Sequence, residues 1–240
     1  RWIKVINGEQ GLELSELEED IVALIQDLDL DTTPMLHLIE GCRSDIHQQQ
    51  PLTRDELLDY TYCVACCVGM TSARIMGASE ESYPYAIALG HALQMVNIIR
   101  DVAEDCNKSN RIYLPREDMD RFGYTLENLR NGVYSSQLKD LLQYEADLAE
   151  QFFRDAEEEY SRLSPEDKAA LVPAHLPHHS GQDEGGRLPY LRHPLPRQHL
   201  PQALAPVPHQ AGHRPAVILR QVQGLLRQAG GLSVPADEKG

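Results

Sequence analysis

Apolar residues recur at helical spacing through most of the N-terminal part of this chain. Residues 12–30 read LELSELEEDIVALIQDLDL, and Leu14, Leu17, Ile21, Leu24, Ile25 and Leu28 fall on one helical face with acids between them. A second helix is expected over 34–49, opened by Pro34, whose fixed φ suits a first turn, with a break at Gly41. PLTRDELL then sets Thr53 three residues before Glu56, an S/T-x-x-E capping box, and predicts a helix running to about Met76. GASEESYP reads as a linker, a long helix follows from about Tyr85 to Cys106, and NKSNRIYLP reads as a loop. REDMDRFGYTLENLRNG suits short turns and helices, 135–163 suit another amphipathic helix, and no internal repeat stands out.

Beyond about Pro173 the pattern stops. The stretch HLPHHSGQDEGGRLPYLRHPLPRQHLPQALAPVPHQAGHRP has no isoleucine, no helical period and frequent prolines, which break helices and sheet ladders alike. The chain therefore divides into a folded domain at 1–173 and a Pro/His-rich tail at 174–240, expected to be irregular or disordered. Reading the codons of HLPHHS one base over makes threonine, tyrosine, histidine and isoleucine available in that order. This favours a frameshift near Ala174 and the loss of helices that would otherwise follow.

Charge narrows the function. A formal net charge of -15 with a sequence pI near 5.0 argues against a general nucleic-acid binder, which needs a basic surface. No apolar run approaches the roughly 20 residues that span a bilayer, and the opening RWIKVINGEQ has neither an h-region nor an initiator Met, so the chain reads as a cytoplasmic fragment. Of five cysteines, Cys63, Cys66 and Cys67 sit in YTYCVACCVGM. Cys63 and Cys66 form one C-x-x-C without a second ligand pair, which suits packed free thiols better than a zinc site.

The candidate chemistry lies in NIIRDVAEDCNKSNRIYLP, residues 97–115. At 100° per residue Gln94, Asn97, Asp101 and Asp105 share one stripe of a helix, and the two carboxylates stand about 6 Å apart along its axis. Arg100 and Glu104 border the stripe with i,i+4 spacing. Such a stripe can be a solvated face. It can also be a platform for Mg²⁺, which typically takes one or two carboxylates together with substrate phosphates. The following loop favours the platform: Arg111 is placed to hold a phosphate in bidentate geometry, Lys108 adds a second cation, and Tyr113 brings a hydroxyl that can donate to the same group.

ALGHALQMVNIIRDVAEDCNKSNRIYLPREDMDRFGY resembles the second aspartate-rich region of the squalene/phytoene synthase family, matched at Gln94, Asn97, Arg100, Asp101, Glu104, Asp105, Arg111, Tyr113 and Pro115. Upstream, Tyr60, Val64, Ala65, Val68 and Gly69 match that family's Y-x-x-x-V-A-x-x-V-G helix, with Cys66 where many members carry glycine, a change expected to reshape the cavity wall. The resemblance covers about 34–172 well and 1–33 weakly. It implies an all-α isoprenoid (terpenoid) synthase fold, incomplete here, and head-to-head condensation of two farnesyl or geranylgeranyl diphosphates through a cyclopropylcarbinyl diphosphate to a squalene- or phytoene-type product. By the match, Asn97, Asp101 and Asp105 ligate Mg²⁺, with Mn²⁺ as a substitute. Gln94, Arg100 and Arg111 bind substrate, while Tyr60 and Tyr113 serve the chemistry. Prenyl diphosphates are the implied partners, with peripheral membrane contact for product release and no nucleic acid.

The family's first D-x-x-x-D has no counterpart in this sequence. Asp27 and Asp31 have the spacing but sit at a helix end among the wrong apolar partners. The isolated chain is therefore expected to be inactive. A terpene cyclase on the same fold and a non-catalytic lipid- or partner-binding relative stay open beside the leading reading, although RIYLP and the YTYCVACCVG helix do not suit a cyclase.

Residues 175–215 are expected to exchange their amide hydrogens rapidly. Scarce large aliphatics cannot offset an ordering cost of roughly 1–2 kcal/mol per residue. Slow exchange across that stretch would overturn the reading of a tail.

Overall fold

The longest apolar helix of the sequence becomes the axis around which the others pack. In a computed structural model, which describes residues 1–47 and 49–171, the elements are α1 (Trp2–Ile6), α2 (Glu16–Asp27), α3 (Thr33–His47), α4 (Arg54–Thr61), α5 (Cys67–Ile75), α6 (Tyr83–Glu104), α7 (Arg116–Arg121), α8 (Leu126–Arg130), α9 (Ser136–Arg162) and α10 (Pro165–Leu171). The described residues contain no strand, so the all-α expectation holds for them. The reading of 174–240 as a tail, and of a frameshift near Ala174, lies outside the described residues.

α6 packs most extensively along α9 and crosses α5. Its first half buries small residues on both sides, Ala86 and Gly90 on one and Ala88 and Ala92 on the other, followed by the larger Met95, Ile98 and Ile99. The larger residues join Leu57, Leu114, Met119, Tyr124, Leu141 and Leu142 in the main core. The small ones allow close approach: a Cβ on Gly90 would stand 2.7 Å from the Cα of Cys66. Cys66 is fully buried there, its Sγ donating to the Ile87 carbonyl at 3.1 Å, and burial pushes its thiol up to about 12. The sequence placed Cys66 on a cavity wall; it lies instead in a helix crossing.

Three helix boundaries depart from the periodic reading. α2 starts at Glu16 rather than near residue 12, because the Ser15 amide and hydroxyl both donate to Glu18 Oε2 at 2.9 Å, a capping arrangement that SELE encodes. α3 runs unbroken through Gly41: a Cβ there would meet Cys63 Cβ at 2.7 Å, so the glycine serves a close contact and not a break. Between α4 and α5 the chain forms a π-turn at Tyr62–Cys66, which inserts an extra residue into an otherwise continuous helix. The Thr53 cap is present, its side chain accepting from the Glu56 amide at 3.2 Å, whereas Glu56 reaches back to the Leu52 amide at 2.6 Å.

The residues on either side of α4 and α7 are latched together. The Arg116 and Glu117 amides donate to the carbonyls of Pro51 and Leu52, and Gln50 Nε2 donates to the Leu114 carbonyl at 2.9 Å. Beneath this seam Arg54 Nη2 donates to Asp118 Oδ2 at 2.6 Å and to Glu145 Oε1 at 2.7 Å, tying α4 to α7 and α9. The Arg54 guanidinium also lies over the Tyr144 ring, 5.7 Å from its centroid. Two carboxylates thus share one cation in a buried place, and burial raises the carboxyls of both Asp118 and Glu145.

Removing Arg54 leaves those charges buried without a partner, so Arg54→Ala is expected to cost about 3–5 kcal/mol at neutral pH. The native chain already holds protons on Asp118 and Glu145 more tightly than the unfolded chain does. The cluster therefore favours folding most at low pH, and its contribution falls as pH rises toward the native-state values. Without Arg54 only Arg121, near Asp118, still opposes the burial penalty, so the loss in urea unfolding should be smaller at about pH 5 than at pH 7. An equal loss at both would contradict this account.

Candidate active site

The expected stripe forms as the helical period requires. α6 keeps α-helical hydrogen bonding through to Asp105, whose amide donates to the Asp101 carbonyl. A π-turn over Asp105–Ser109 follows and ends on Asn110 in the left-handed region, where asparagine is tolerated. The Arg111 amide then donates to the Asp105 carbonyl at 3.0 Å. This closure turns IYLP back across the end of α6. A cleft of about 230 Å³ results, lined by Gln94, Asn97, Ile98, Arg100, Asp101, Asp105 and Tyr113.

Within the cleft, Asn97 Nδ2 donates to Gln94 Oε1 at 3.4 Å, which leaves the Asn97 amide oxygen for another partner. Arg100 does not pair with Glu104, as its spacing suggested. Its guanidinium grips the neighbouring Asp101 carboxylate with Nε at 2.7 Å and Nη2 at 2.5 Å, while Glu104 pairs outward with Lys108 at 2.8 Å. The bidentate fit explains the preference, since a guanidinium matches both carboxylate oxygens at once. Lys108 is thereby committed to the helix surface and does not line the cleft.

Burial, and then the negative charge of Asp101, raise the Asp105 carboxyl above its ordinary range, with Arg111 acting against them. A divalent cation between the two carboxylates would relieve that repulsion. Two carboxylates and an amide oxygen on successive turns are hard donors that suit such an ion. Among the described residues no group of three or more His, Cys, Asp or Glu side chains is placed to hold a metal by itself, so this wall supplies a partial ligand set. Asp31 accepts from the Thr33 amide at 2.9 Å at the start of α3, and neither it nor Asp27 lines the cleft.

The tyrosines lie beside the stripe. Tyr60 on α4 and Tyr113 stack with ring centroids 5.0 Å apart and 21° between planes. Both hydroxyls donate to one carboxylate, that of Asp45 on α3: Tyr113 to Oδ1 at 3.0 Å and Tyr60 to Oδ2 at 3.4 Å. Tyr113 was expected to donate toward a phosphate; its proton is instead committed to Asp45. Arg111 Nη1 stands 3.9 Å from Asp45 Oδ2, and Arg111 Nε is buried without a hydrogen-bond partner. Burial raises the phenol of Tyr60, and Tyr113 and Asp45 raise it further; burial is also the main cause at Tyr113.

Asp45 is the site residue that sequence reasoning missed. It lies in LIEGCRSDIHQQQ, within the 34–172 span of the resemblance, and falls four residues after Gly41, hence on the helical face that meets the π-turn at Tyr62–Cys66. That spacing was the available signal.

The sequence pattern of the squalene/phytoene synthase family matches residues 14–182. The 15-cis-phytoene synthase of Synechocystis sp. is 37% identical over 165 residues, covering 62% of this chain and 49% of that protein. The 15-cis-phytoene synthase of Synechococcus elongatus is 37% identical over 166 residues, covering 62% and 54%. The chain thus spans about half the length of the curated relatives it matches. The crystal structure of the squalene synthase HpnC from Alicyclobacillus acidocaldarius superposes with a TM-score of 0.61 at 26% identity, covering 70% of this chain and 64% of that one.

A stripe with this chemistry should draw Mn²⁺ weakly. Paramagnetic broadening in NMR spectra of the chain is expected to centre on Asn97, Asp101 and Asp105. Because the Asp105 carboxyl is raised, protons displace the ion as pH falls from about 7 toward 4, and the broadening fades over that interval. Asp105→Asn should remove most of it. Broadening centred elsewhere would show that the stripe is only a wet helix face.

Proposed function

The chain belongs to the squalene/phytoene synthase family, and from that membership we propose that it forms one wall of a site that joins two prenyl diphosphates head to head. The observation that carries the proposal is the cleft, which Asn97, Asp101 and Asp105 line together with Tyr113. Asn97, Asp101 and Asp105 would hold Mg²⁺, with Mn²⁺ as a substitute. The ion would neutralise charge on a departing diphosphate. A complementary acidic wall, the first D-x-x-x-D of the family, completes the ligand set in this proposal.

The chain's own residues do the rest. Arg111 does not line the cleft but stands behind Tyr113, near Asp45; its buried, unpartnered Nε supports a role in holding a diphosphate oxygen. Arg100 keeps Asp101 oriented while the site is empty and can exchange that carboxylate for phosphate when substrate arrives, since both present oxygens to the same planar fork. Gln94 fixes the Asn97 amide and so sets which of its atoms faces the cleft. Ile98 and the Tyr113 ring, which Tyr60 backs by stacking, would offer apolar surface to prenyl carbons and help keep water from a reactive allylic cation. The products that follow are of the squalene or phytoene type. No helix among the described residues is long and apolar enough to cross a membrane. A cytoplasmic location with peripheral membrane contact for product release is part of the proposal.

The test is diphosphate release from farnesyl and geranylgeranyl diphosphate by the protein at the length of its relatives. Asp101→Ala and Asp105→Ala should each lower the Mg²⁺-dependent rate by about a hundredfold or more, the scale for removing one preorganised electrostatic group. The 240-residue chain alone should form no hydrocarbon. Near-normal release by both variants would end the assignment.

A further inference from the structure

The acceptor of both tyrosine protons has a consequence for what the tyrosines can offer a substrate. We propose that Asp45 is a positioning residue: its carboxylate takes the hydroxyl protons of Tyr60 and Tyr113, so that Tyr113, the member of the stacked pair that lines the cleft, presents an oxygen that can only accept. That wall then receives positive charge and does not donate to diphosphate.

Three parts of the chain must converge for this to happen. Asp45 comes from α3, Tyr60 from α4, and Tyr113 from the segment that turns back after α6, 68 residues from Asp45 in sequence. Each hydroxyl has its own carboxylate oxygen, Oδ1 for Tyr113 and Oδ2 for Tyr60. A hydroxyl has a single proton, so once it is donated the oxygen can only accept. The near-parallel stack keeps the two oxygens together, and Tyr113 carries its share of them to the cleft that Asp101 and Asp105 line.

Asp45 is suited to this by its charge. The Arg111 guanidinium stands 3.9 Å from Oδ2, beyond hydrogen-bond distance, so it balances the carboxylate without taking the lone pairs that the phenols use. Asparagine at this position could accept on one atom only, and its amide would donate on the other. One tyrosine hydroxyl would then have to rotate away. The inference rests on the prenyl-transfer reading for the identity of the charge, an allylic cation, but not for the hydrogen-bond arrangement itself.

The arrangement can be tested on the 240-residue chain without any substrate. The chain is labelled with ¹³C at tyrosine Cζ, and the two signals are assigned with Tyr60→Phe and Tyr113→Phe. Both are expected to titrate above the ordinary tyrosine value of about 10. In Asp45→Asn Tyr113 should titrate lower than in the wild type, because the negative charge opposing its phenolate is gone. Asp45→Glu should return it toward wild type. Unchanged Tyr113 titration in Asp45→Asn with helical circular dichroism intact would overturn the proposal. A second measurement needs no variant: hydroxyl protons held by Asp45 should give slowly exchanging, low-field signals correlated with the two Cζ carbons. Fast exchange with water at both would overturn it equally. Failure here leaves the metal stripe and its diphosphate-release test untouched, and failure of that test leaves the hydrogen bonds to Asp45 standing.

Discussion

Arg54 is the interaction on which the geometry of this molecule depends. One guanidinium at the start of α4 binds Asp118 on α7 and Glu145 on α9. Because it sits beneath the seam where Pro51 and Leu52 accept the Arg116 and Glu117 amides, it fixes the distance between α4 and the segment that follows α6. Tyr60 lies on the first of these and Tyr113 near the start of the second, so their stacking follows from the latch. A buried ion pair is not itself a strong source of stability, since desolvation offsets most of its attraction. What it supplies here is register: α7 and α9 cannot slide on α4 without stranding a charge.

The second constraint is how closely α6 can approach its neighbours. Gly90 admits the backbone of Cys66 and Gly41 admits Cys63, so α3, the π-turn at Tyr62–Cys66 and α6 nest with little separation. That nesting brings Asp45 from α3 within reach of the tyrosine pair. The polar groups it draws inward find partners. Thr61 Oγ1 and His91 Nδ1 share a hydrogen bond at 2.8 Å, and the His91 ring stacks on Phe152 of α9 at 4.9 Å, with burial lowering the imidazole's proton affinity. The apolar and polar halves of the bundle thus meet along α6, with Ala86 and Gly90 facing the crossing and the carboxylates facing the cleft.

Charge lies in the cleft and behind it. Asp101 and Asp105 stand on α6, and Asp45 stands behind the tyrosines with Arg111 beside it. Lys108, which the sequence offered as a second cation for the site, pairs with Glu104 on the outer face, and Arg100 is held by Asp101. Of the cleft's two carboxylates, Asp101 is thus neutralised by Arg100 and Asp105 is left without a paired cation at hydrogen-bond distance.

The sequence by itself determined the helices, the stripe and the family. Periodicity and caps are local, so α2, α6 and α9 could be read directly, and Gln94, Asn97, Asp101 and Asp105 align because the 3.6-residue period holds through all of α6. It could not determine which partner each charge takes or why each glycine is present. Arg100 spaced for Glu104 chooses Asp101, Gly41 serves packing and not a break, and Cys66 fills a crossing instead of a cavity wall. Asp45 became part of the site only when α3 folded against α4 and the chain turned back after Asn110. The physical reason is range: backbone propensity acts over a few residues, whereas Asp45 lies 15 residues from Tyr60 and 68 from Tyr113, and only tertiary packing closes those distances.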